Sequence, residues 1–154
     1  MSSLEIVDRQ FIAFARKHYS WIARISLFVI YFYFGFLKVI GASPANELAI
    51  GFAKHMGMGA YAQELYITLA IVECVIGVLI LFPRLTRITI FIMFSHMLLV
   101  CSPILLYPQA VWTAPFVPNL EGQYIIKNAA LVALALGLVA STTPLKSTKR
   151  LTKR

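Results

Sequence analysis

Four long apolar runs constrain this chain more than any other feature of its sequence. They cover residues 22–40, 62–82, 88–106 and 123–140, and each approaches the roughly 20 residues that a helix needs to cross a bilayer. None alternates as a barrel strand must, so helices are the spanning solution that satisfies every backbone group in lipid. Because 60% of the residues are hydrophobic and only 13% are charged, the chain needs a lipid solvent. The sequence therefore predicts an all-α integral membrane four-helix bundle.

The segment before the first run has a helical pattern of its own. Residues 1–20 carry apolar side chains at helical spacing, with charged side chains on the other face. Ser2 and Glu5 fit a capping box, which marks the start of a helix. We interpret the segment as an amphipathic helix that lies on the cytoplasmic surface of the membrane.

Two connections are expected on the opposite side of the membrane. Residues 43–59 predict a short interfacial helix, with Ser43 as its N-cap, Pro44 at its first position and Gly57 at its end. Residues 103–122 contain four prolines and several aromatic side chains. They predict an irregular loop whose aromatic rings lie at the level of the lipid headgroups.

The distribution of lysine and arginine predicts the orientation of the bundle. Only Lys54 lies in the loops on one side, whereas eleven basic residues flank the runs on the other. These eleven are Arg9, Arg16, Lys17, Arg24, Arg84, Arg87, Lys146, Lys149, Arg150, Lys153 and Arg154. We therefore expect a multi-pass protein of a bacterial inner membrane, with both termini, including a basic tail at 142–154, in the cytoplasm.

The same arrangement narrows the expected partners. Basic residues grouped at the ends of apolar runs are typical of membrane topology, and we expect no nucleic acid partner. The expected partners are the lipid bilayer and either a larger membrane complex or further copies of this chain.

Ionisable residues inside a span are costly to bury and usually mark a functional site. Counting about 1.5 Å per residue from the turn between the second and third runs places Glu73 and His96 at nearly the same mid-membrane depth. Ala70 and Gly77 are small, so another helix can approach the Glu73 face closely. Such a pair relieves the burial cost of both groups and can relay a proton, for example to a quinone oxygen. The alternative is that the pair only joins two helices.

A second group of charges lies near the outer ends of the runs. Lys38, Glu64, Glu121 and Lys127 are at similar levels and form a candidate outer charged ring. As an alternative, Lys38 and Lys127 extend separately to the outer headgroups while their aliphatic stems stay in lipid.

The two cysteines and the histidines indicate neither a disulfide nor a metal site. Cys74 and Cys101 differ in expected depth by about 10 Å, which exceeds the reach of a disulfide, so we interpret both as structural thiols. No spacing of His, Cys, Asp or Glu matches a zinc or haem site, and the runs contain one histidine. We expect no metal, and the sequence assigns no catalytic residue.

Several short motifs occur in a characteristic order along the chain. They are Arg24-Ile-Ser-Leu, Gly35-Phe-Leu-Lys38, Ile71-Val-Glu73-Cys-Val-Ile-Gly77, His96 and Leu120-Glu-Gly-Gln-Tyr-Ile-Ile-Lys127-Asn128. Together they resemble the DoxX-like family of small four-helix membrane proteins, and the last motif is similar to its YkgB-like branch. The resemblance covers residues 24–140.

This resemblance implies an association with membrane redox systems. The family takes its name from a subunit linked to a thiosulfate:quinone oxidoreductase, and other members are tied to oxidative stress. It suggests an accessory subunit of a quinone-linked or oxidative-stress-related system rather than a stand-alone enzyme, with quinone as the candidate cofactor. Lys38, Glu73, His96 and Lys127 are the candidate positions. The alternatives are a transporter or channel for protons or a small solute, and a scaffold subunit of a larger membrane complex.

Overall fold

The structure, a computed structural model, describes residues 2–143, and most of them are helical. The helices are α1 (Ser3–Phe28), α2 (Phe34–Val39), α3 (Asn46–His55), α4 (Ala62–Ile80), α5 (Thr86–Cys101), α6 (Pro103–Leu106) and α7 (Leu120–Ala140). A π-helical turn at Val29–Tyr33 joins α1 to α2, and 3₁₀ turns occupy Gly59–Tyr61, Pro83–Leu85 and Pro108–Ala110. The strands β1 (Trp112–Ala114) and β2 (Val117–Pro118) form a small antiparallel hairpin.

Four helical stretches are long and apolar enough to cross a membrane, which agrees with the all-α prediction and indicates a multi-pass membrane protein. They are Ser3–Val39, Gly59–Ile80, Pro83–Leu106 and Leu120–Ala140. Of the expected basic tail, residues 144–154 lie outside the described part of the chain.

The four spans pack in chain order around one core. The second span packs on the first and the third, and α7 packs on both α5 and α1, which closes the bundle. The centre is filled by fully buried apolar side chains: Ala23, Leu27, Ile76, Ile80, Met93, Ala135 and Leu138. Outward-facing residues of the same helices are also apolar, as Phe91 and Leu98 show with 73% and 77% exposure. A soluble monomer rarely exposes apolar surface on this scale, so a lipid environment suits the bundle.

The N-terminal segment forms a helix as predicted, but it is not separate from the first span. The capping box is present, because Ser2 and Glu5 each accept a hydrogen bond from the other's backbone N–H. From Ser3 the helical stretch continues through the π-helical turn to Val39, with no break near residue 20. A continuous helix curves only gently. Residues 3–20 therefore continue the first span lengthwise in the structure, and their position on the membrane surface stays a prediction.

The connection after the first span contains the expected short helix with a different start. α3 begins at Asn46, because the Ser43 hydroxyl accepts a hydrogen bond from the Ala45 N–H at 3.2 Å and closes a turn ahead of the helix. The helix ends as predicted before Gly57, which has a φ of +78°. Glycine adopts that left-handed conformation without steric cost.

The third connection is more regular than predicted. Pro103 has no N–H to continue the helical hydrogen bonds of α5, so the third span breaks at Ser102 between α5 and α6. A short hairpin follows, in which the Trp112 indole donates a hydrogen bond to the Ile104 carbonyl at 3.1 Å. Phe116 at its tip is 94% exposed, as a ring meeting the headgroups would be.

Arg24, which lies within α1, links the first span to the end of α4 and the start of α5, at the end of the bundle opposite to this hairpin. Its side chain is buried, and its guanidinium donates hydrogen bonds to the Ile80 carbonyl at 2.6 Å and to the Thr86 hydroxyl at 2.7 Å. Ile80 is the last residue of α4, where carbonyl groups lack helical partners. A cation at this position also interacts favourably with the helix dipole.

The variant Arg24→Lys tests this contact. An ammonium keeps the charge but lacks the planar fork that reaches both acceptors. We expect the free energy of unfolding to fall by about 1.5–3 kcal/mol, the contribution of one hydrogen bond to a charged group. Thermal unfolding in detergent measures the change, with the exposed Arg16→Lys as control. Equal stability of the two variants would show that the hydrogen bonds from Arg24 to Ile80 and Thr86 do not stabilise the bundle.

Candidate functional site

The polar centre of the bundle is built around the Glu73 carboxylate. Glu73 comes from α4, and the Lys38 ammonium from α2 contacts both of its carboxylate oxygens, one of them at 2.6 Å. His96 from α5 lies on the other side, with its Nε2 atom 3.3 Å from Glu73 Oε1. The two residues that the sequence placed at one depth therefore meet in the structure. Lys38 adds a cation that neutralises the buried carboxylate.

Tyr31 completes the polar centre, which we define as Tyr31, Lys38, Glu73 and His96. Its ring meets the His96 imidazole edge-on, with 5.5 Å between the ring centroids. Tyr31 and His96 are only 4% and 7% exposed. The first span, α4 and α5 thus converge on one buried cluster.

Several polar atoms of this cluster do not complete a hydrogen bond within residues 2–143. The Tyr31 hydroxyl and both ring nitrogens of His96 are in this group. The Nε2 atom is close enough to Glu73 for an ion pair, but its geometry does not align for a hydrogen bond. Native proteins pair most of their buried polar atoms. Tyr31 and His96 thus contribute unused hydrogen-bonding capacity to the polar centre.

A π-helical turn in the first span positions Tyr31. The turn covers Val29–Tyr33, and Tyr31 is its buried residue, whereas Tyr33 is 54% exposed. A π turn inserts an extra residue into a helix and rotates the residues after it relative to those before it. Such turns occur frequently at functional sites. The local irregularity therefore coincides with the polar centre.

Two glycines allow the first and second spans to approach closely beside the polar centre. A Cβ atom on Gly35 would lie 2.9 Å from the Ala70 carbonyl oxygen and 2.9 Å from the Glu73 Cβ. A Cβ atom on Gly77 would lie 2.7 Å from the backbone nitrogen of Phe32. Small residues are the usual means of close helix packing in membranes. They bring Lys38 within reach of Glu73.

The outer charged ring is not assembled as predicted. Lys38 belongs to the polar centre, because Glu73 is its ion-pair partner. Glu64, Glu121 and Lys127 are exposed, and within residues 2–143 none of them forms an ion pair with another residue. Lys127 instead lies over the Tyr124 ring, 5.5 Å from its centroid. The prediction placed Lys38 by its distance from the helix end alone, which does not define the direction of its side chain.

Sequence reasoning missed the tyrosines near the site. Tyr31 precedes Lys38 by seven residues, and Tyr66 precedes Glu73 by seven, a spacing of about two helical turns that places residues near one face. Tyr66 is also buried, and among residues 2–143 its hydroxyl does not complete a hydrogen bond, although Ser43 lies beside it. The seven-residue spacing of each tyrosine from Lys38 or Glu73 was the sequence signal that could have identified both tyrosines.

Both cysteines are free thiols, as expected from their depths. Each is half-buried, and the Cys74 thiol lies 3.8 Å from the Phe32 carbonyl oxygen within the π-helical turn. This contact joins α4 to the first span, which suits a structural thiol.

An open groove of about 520 Å³ runs along α6 and the hairpin of the third connection. Its lining includes Ile104, Trp112 and Phe116 and contains no ionisable side chain. The polar centre, which combines an ion pair, an imidazole and a phenol, is therefore the better candidate for chemistry.

Comparison with protein-family models, with curated proteins and with solved structures yields no match for this chain. The fold and the site themselves define a class: a multi-pass membrane protein with four candidate spans and a buried Lys–Glu–His–Tyr cluster.

Proposed function

We propose that this protein is a membrane subunit of a quinone-linked redox system, and that its polar centre binds a quinone headgroup. The observation that carries the proposal is the unused hydrogen-bonding capacity of Tyr31 and His96 inside an apolar bundle. Leaving a buried polar atom without a partner is costly, and more so where lipid rather than water surrounds the protein. A ligand with two carbonyl oxygens would accept hydrogen bonds from these groups.

The residues present suit such a ligand. The Tyr31 hydroxyl and a protonated ring nitrogen of His96 are donors that a quinone carbonyl can accept. The surrounding core is apolar, with Leu27 and Met93 fully buried in it. A mostly apolar lining with a few convergent polar groups is typical of cofactor sites.

Each residue of the polar centre then has a distinct role. A quinone takes up two electrons and two protons to become a quinol, and the electrons would come from a partner redox protein. His96 lies against Glu73 and can pass a proton between the ligand position and the carboxylate. The Lys38 ammonium compensates the Glu73 charge and orients its carboxylate. Tyr31 orients the ligand by a hydrogen bond.

The proposed setting is the bacterial inner membrane, with the arginine-rich end of the bundle and both termini in the cytoplasm. The eleven-to-one asymmetry of basic residues supports this orientation. The resemblance to DoxX-like proteins supports the redox association, and it rests on the short motifs around Gly35–Lys38 and Glu73–Gly77. As a subunit, the protein would act with a larger complex or as a homo-oligomer, which purification in mild detergent followed by mass spectrometry tests.

The variants Tyr31→Phe and His96→Ala test quinone binding. We expect each to weaken the binding of a short-chain benzoquinone at least about tenfold, because each removes one buried hydrogen bond to the ligand. Tyr31→Phe is informative because it removes a hydroxyl that has no hydrogen-bond partner in the described part of the chain. It should leave the free energy of unfolding unchanged or raise it by up to about 1 kcal/mol. Quenching of tryptophan fluorescence measures binding in detergent.

Matched control variants of the same residue types are available. Tyr33→Phe changes an exposed phenol in the same π-helical turn, and His55→Ala changes an exposed imidazole outside the polar centre. Both should bind the quinone as the wild type does. Unchanged binding in Tyr31→Phe and His96→Ala, or no quinone binding by the wild type, would refute the proposal.

A second candidate function is proton transport. It is supported by the contiguity of three ionisable groups, since Lys38, Glu73 and His96 form one chain of contacts. Proteoliposomes that contain a pH-sensitive dye distinguish the two functions. Proton flux that disappears in Glu73→Gln, in a protein that does not bind quinone, would favour transport.

A further inference from the structure

A second polar site lies at the end of the bundle that carries the α4–α5 turn. There, a pocket of about 400 Å³ is formed by three parts of the chain: the first span, the turn between α4 and α5, and the residues after α7. Its lining consists of Ser20, Arg24, Pro83, Arg84, Thr86, Arg87, Ser141, Thr142 and Thr143. The pocket combines three guanidinium groups with several hydroxyl groups.

Within residues 2–143, no acidic side chain compensates the positive charge of this pocket. The chain has six acidic residues, and none of them lines the pocket. The ion pairs among residues 2–143 both involve Glu73, so no arginine in that range forms one. Three guanidinium groups in one concave site create a positive potential that attracts anions.

The three arginines differ in their freedom to bind a ligand. Arg24 is buried and held by Ile80 and Thr86, so it forms a fixed positive wall of the pocket. Arg84 and Arg87 are exposed, and the Arg87 guanidinium donates a hydrogen bond to the Thr143 carbonyl. Each guanidinium has five donors, and within residues 2–143 most of the donors of Arg84 and Arg87 have no partner and can serve a ligand. Planar guanidinium groups bind phosphate oxygens in pairs.

The position of the pocket indicates the source of the phosphate. It lies at the ends of three candidate spans, since α4 ends at Ile80, α5 begins at Thr86 and α7 ends at Ala140. Lipid headgroups occupy this level of a bilayer. Exposed apolar side chains adjoin the lining residues in sequence, with Trp21 at 55% exposure, Phe82 at 53% and Ile88 at 61%. A soluble anion makes no favourable contact with these apolar side chains, whereas the acyl chains of a lipid pack on them.

We propose that this pocket binds the phosphate of an anionic phospholipid headgroup. Arg84 and Arg87 grip the phosphate, Arg24 supplies a fixed charge behind it, and the hydroxyls of Ser141 and Thr142 bind the remaining polar atoms of the headgroup. The bound lipid joins the first span, the α4–α5 turn and the end of α7. This inference requires only that the bundle spans a bilayer, and it stands whether or not the polar centre binds a quinone.

The test compares lipid binding by the full chain and its variants in neutral detergent. Native mass spectrometry measures the apparent affinity for phosphatidylglycerol, with phosphatidylcholine as the zwitterionic comparison. We expect the wild type to prefer phosphatidylglycerol. The double variant Arg84→Gln/Arg87→Gln should bind it roughly 20- to 30-fold more weakly, at about fivefold for each basic residue near a membrane surface. Both arginines are exposed, so the fold is retained.

The matched control removes two charges elsewhere. Lys54→Gln/Lys127→Gln changes two exposed lysines outside the pocket and should bind phosphatidylglycerol within about twofold of the wild type. An equal loss of affinity for phosphatidylglycerol in both double variants would mean that the lipid is attracted by net charge alone, and it would overturn the proposal. Affinity unchanged in Arg84→Gln/Arg87→Gln would overturn it directly.

A second probe separates a lipid phosphate from a soluble one. Millimolar inorganic phosphate is expected to displace little phosphatidylglycerol and to leave the thermal stability of the protein unchanged. Stabilisation by inorganic phosphate that depends on Arg84 and Arg87, without any preference for phosphatidylglycerol, would assign the pocket to a soluble phosphate instead and overturn the lipid assignment.

Discussion

Replacing Glu73 with alanine is expected to lower the free energy of unfolding by about 3–5 kcal/mol, because the Lys38 ammonium then stays in the bundle without its counter-ion. The two side chains are only 11% and 9% exposed, so water screens their attraction little. His96 would also lose its neighbouring carboxylate. Thermal or denaturant unfolding in detergent micelles, followed by circular dichroism, measures the loss.

A double-mutant cycle shows whether the loss comes from the unpaired charge. Lys38→Met/Glu73→Met removes both charges and should be more stable than Glu73→Met alone, because an apolar pair suits the apolar bundle. Glu64→Ala, which removes an exposed carboxylate of the same helix, should change stability by less than about 0.5 kcal/mol. If Glu73→Ala were as stable as Glu64→Ala, the buried ion pair would not contribute to the free energy of unfolding.

Alanine at Gly77 or Gly35 is expected to destabilise the bundle by about 1–3 kcal/mol through overpacking. The added methyl group meets backbone or a Cβ atom rather than the end of a flexible side chain: the Phe32 nitrogen at 2.7 Å for Gly77, and the Ala70 carbonyl oxygen at 2.9 Å for Gly35. The first and second spans must then move apart. Gly35→Ala should also weaken quinone binding at the polar centre, because its methyl group presses on Glu73.

Gly51→Ala provides the opposite result with the same chemical change. Gly51 lies within α3, and a Cβ atom there would be 3.6 Å from the Tyr107 hydroxyl, an ordinary contact. Alanine forms helices better than glycine, so this variant should gain up to about 1 kcal/mol. Equal stabilisation in Gly77→Ala would mean that the two spans are not in close contact at Gly77.

The sequence predicted the depth of the site residues along the helix axes, but it did not predict the direction of their side chains around those axes. Residue counts from the turn before α5 placed Glu73 and His96 at one depth, and the structure brings them to 3.3 Å. The direction of a side chain around the axis depends on the local helix geometry, which the π-helical turn of the first span alters. Lys38 was therefore assigned to an outer ring, and Tyr31 was not assigned to the site.

The sequence by itself determined the four spans, because apolar runs of about 20 residues have few other folding solutions. It also determined local features that depend on neighbouring residues only, such as the capping box at Ser2 and the helix end before Gly57. The tertiary structure alone decided which polar groups pair across helices. Close packing at Gly35 and Gly77 directs Lys38 to Glu73. The meeting of three distant segments creates the arginine pocket, since such contacts depend on the packing of the whole bundle.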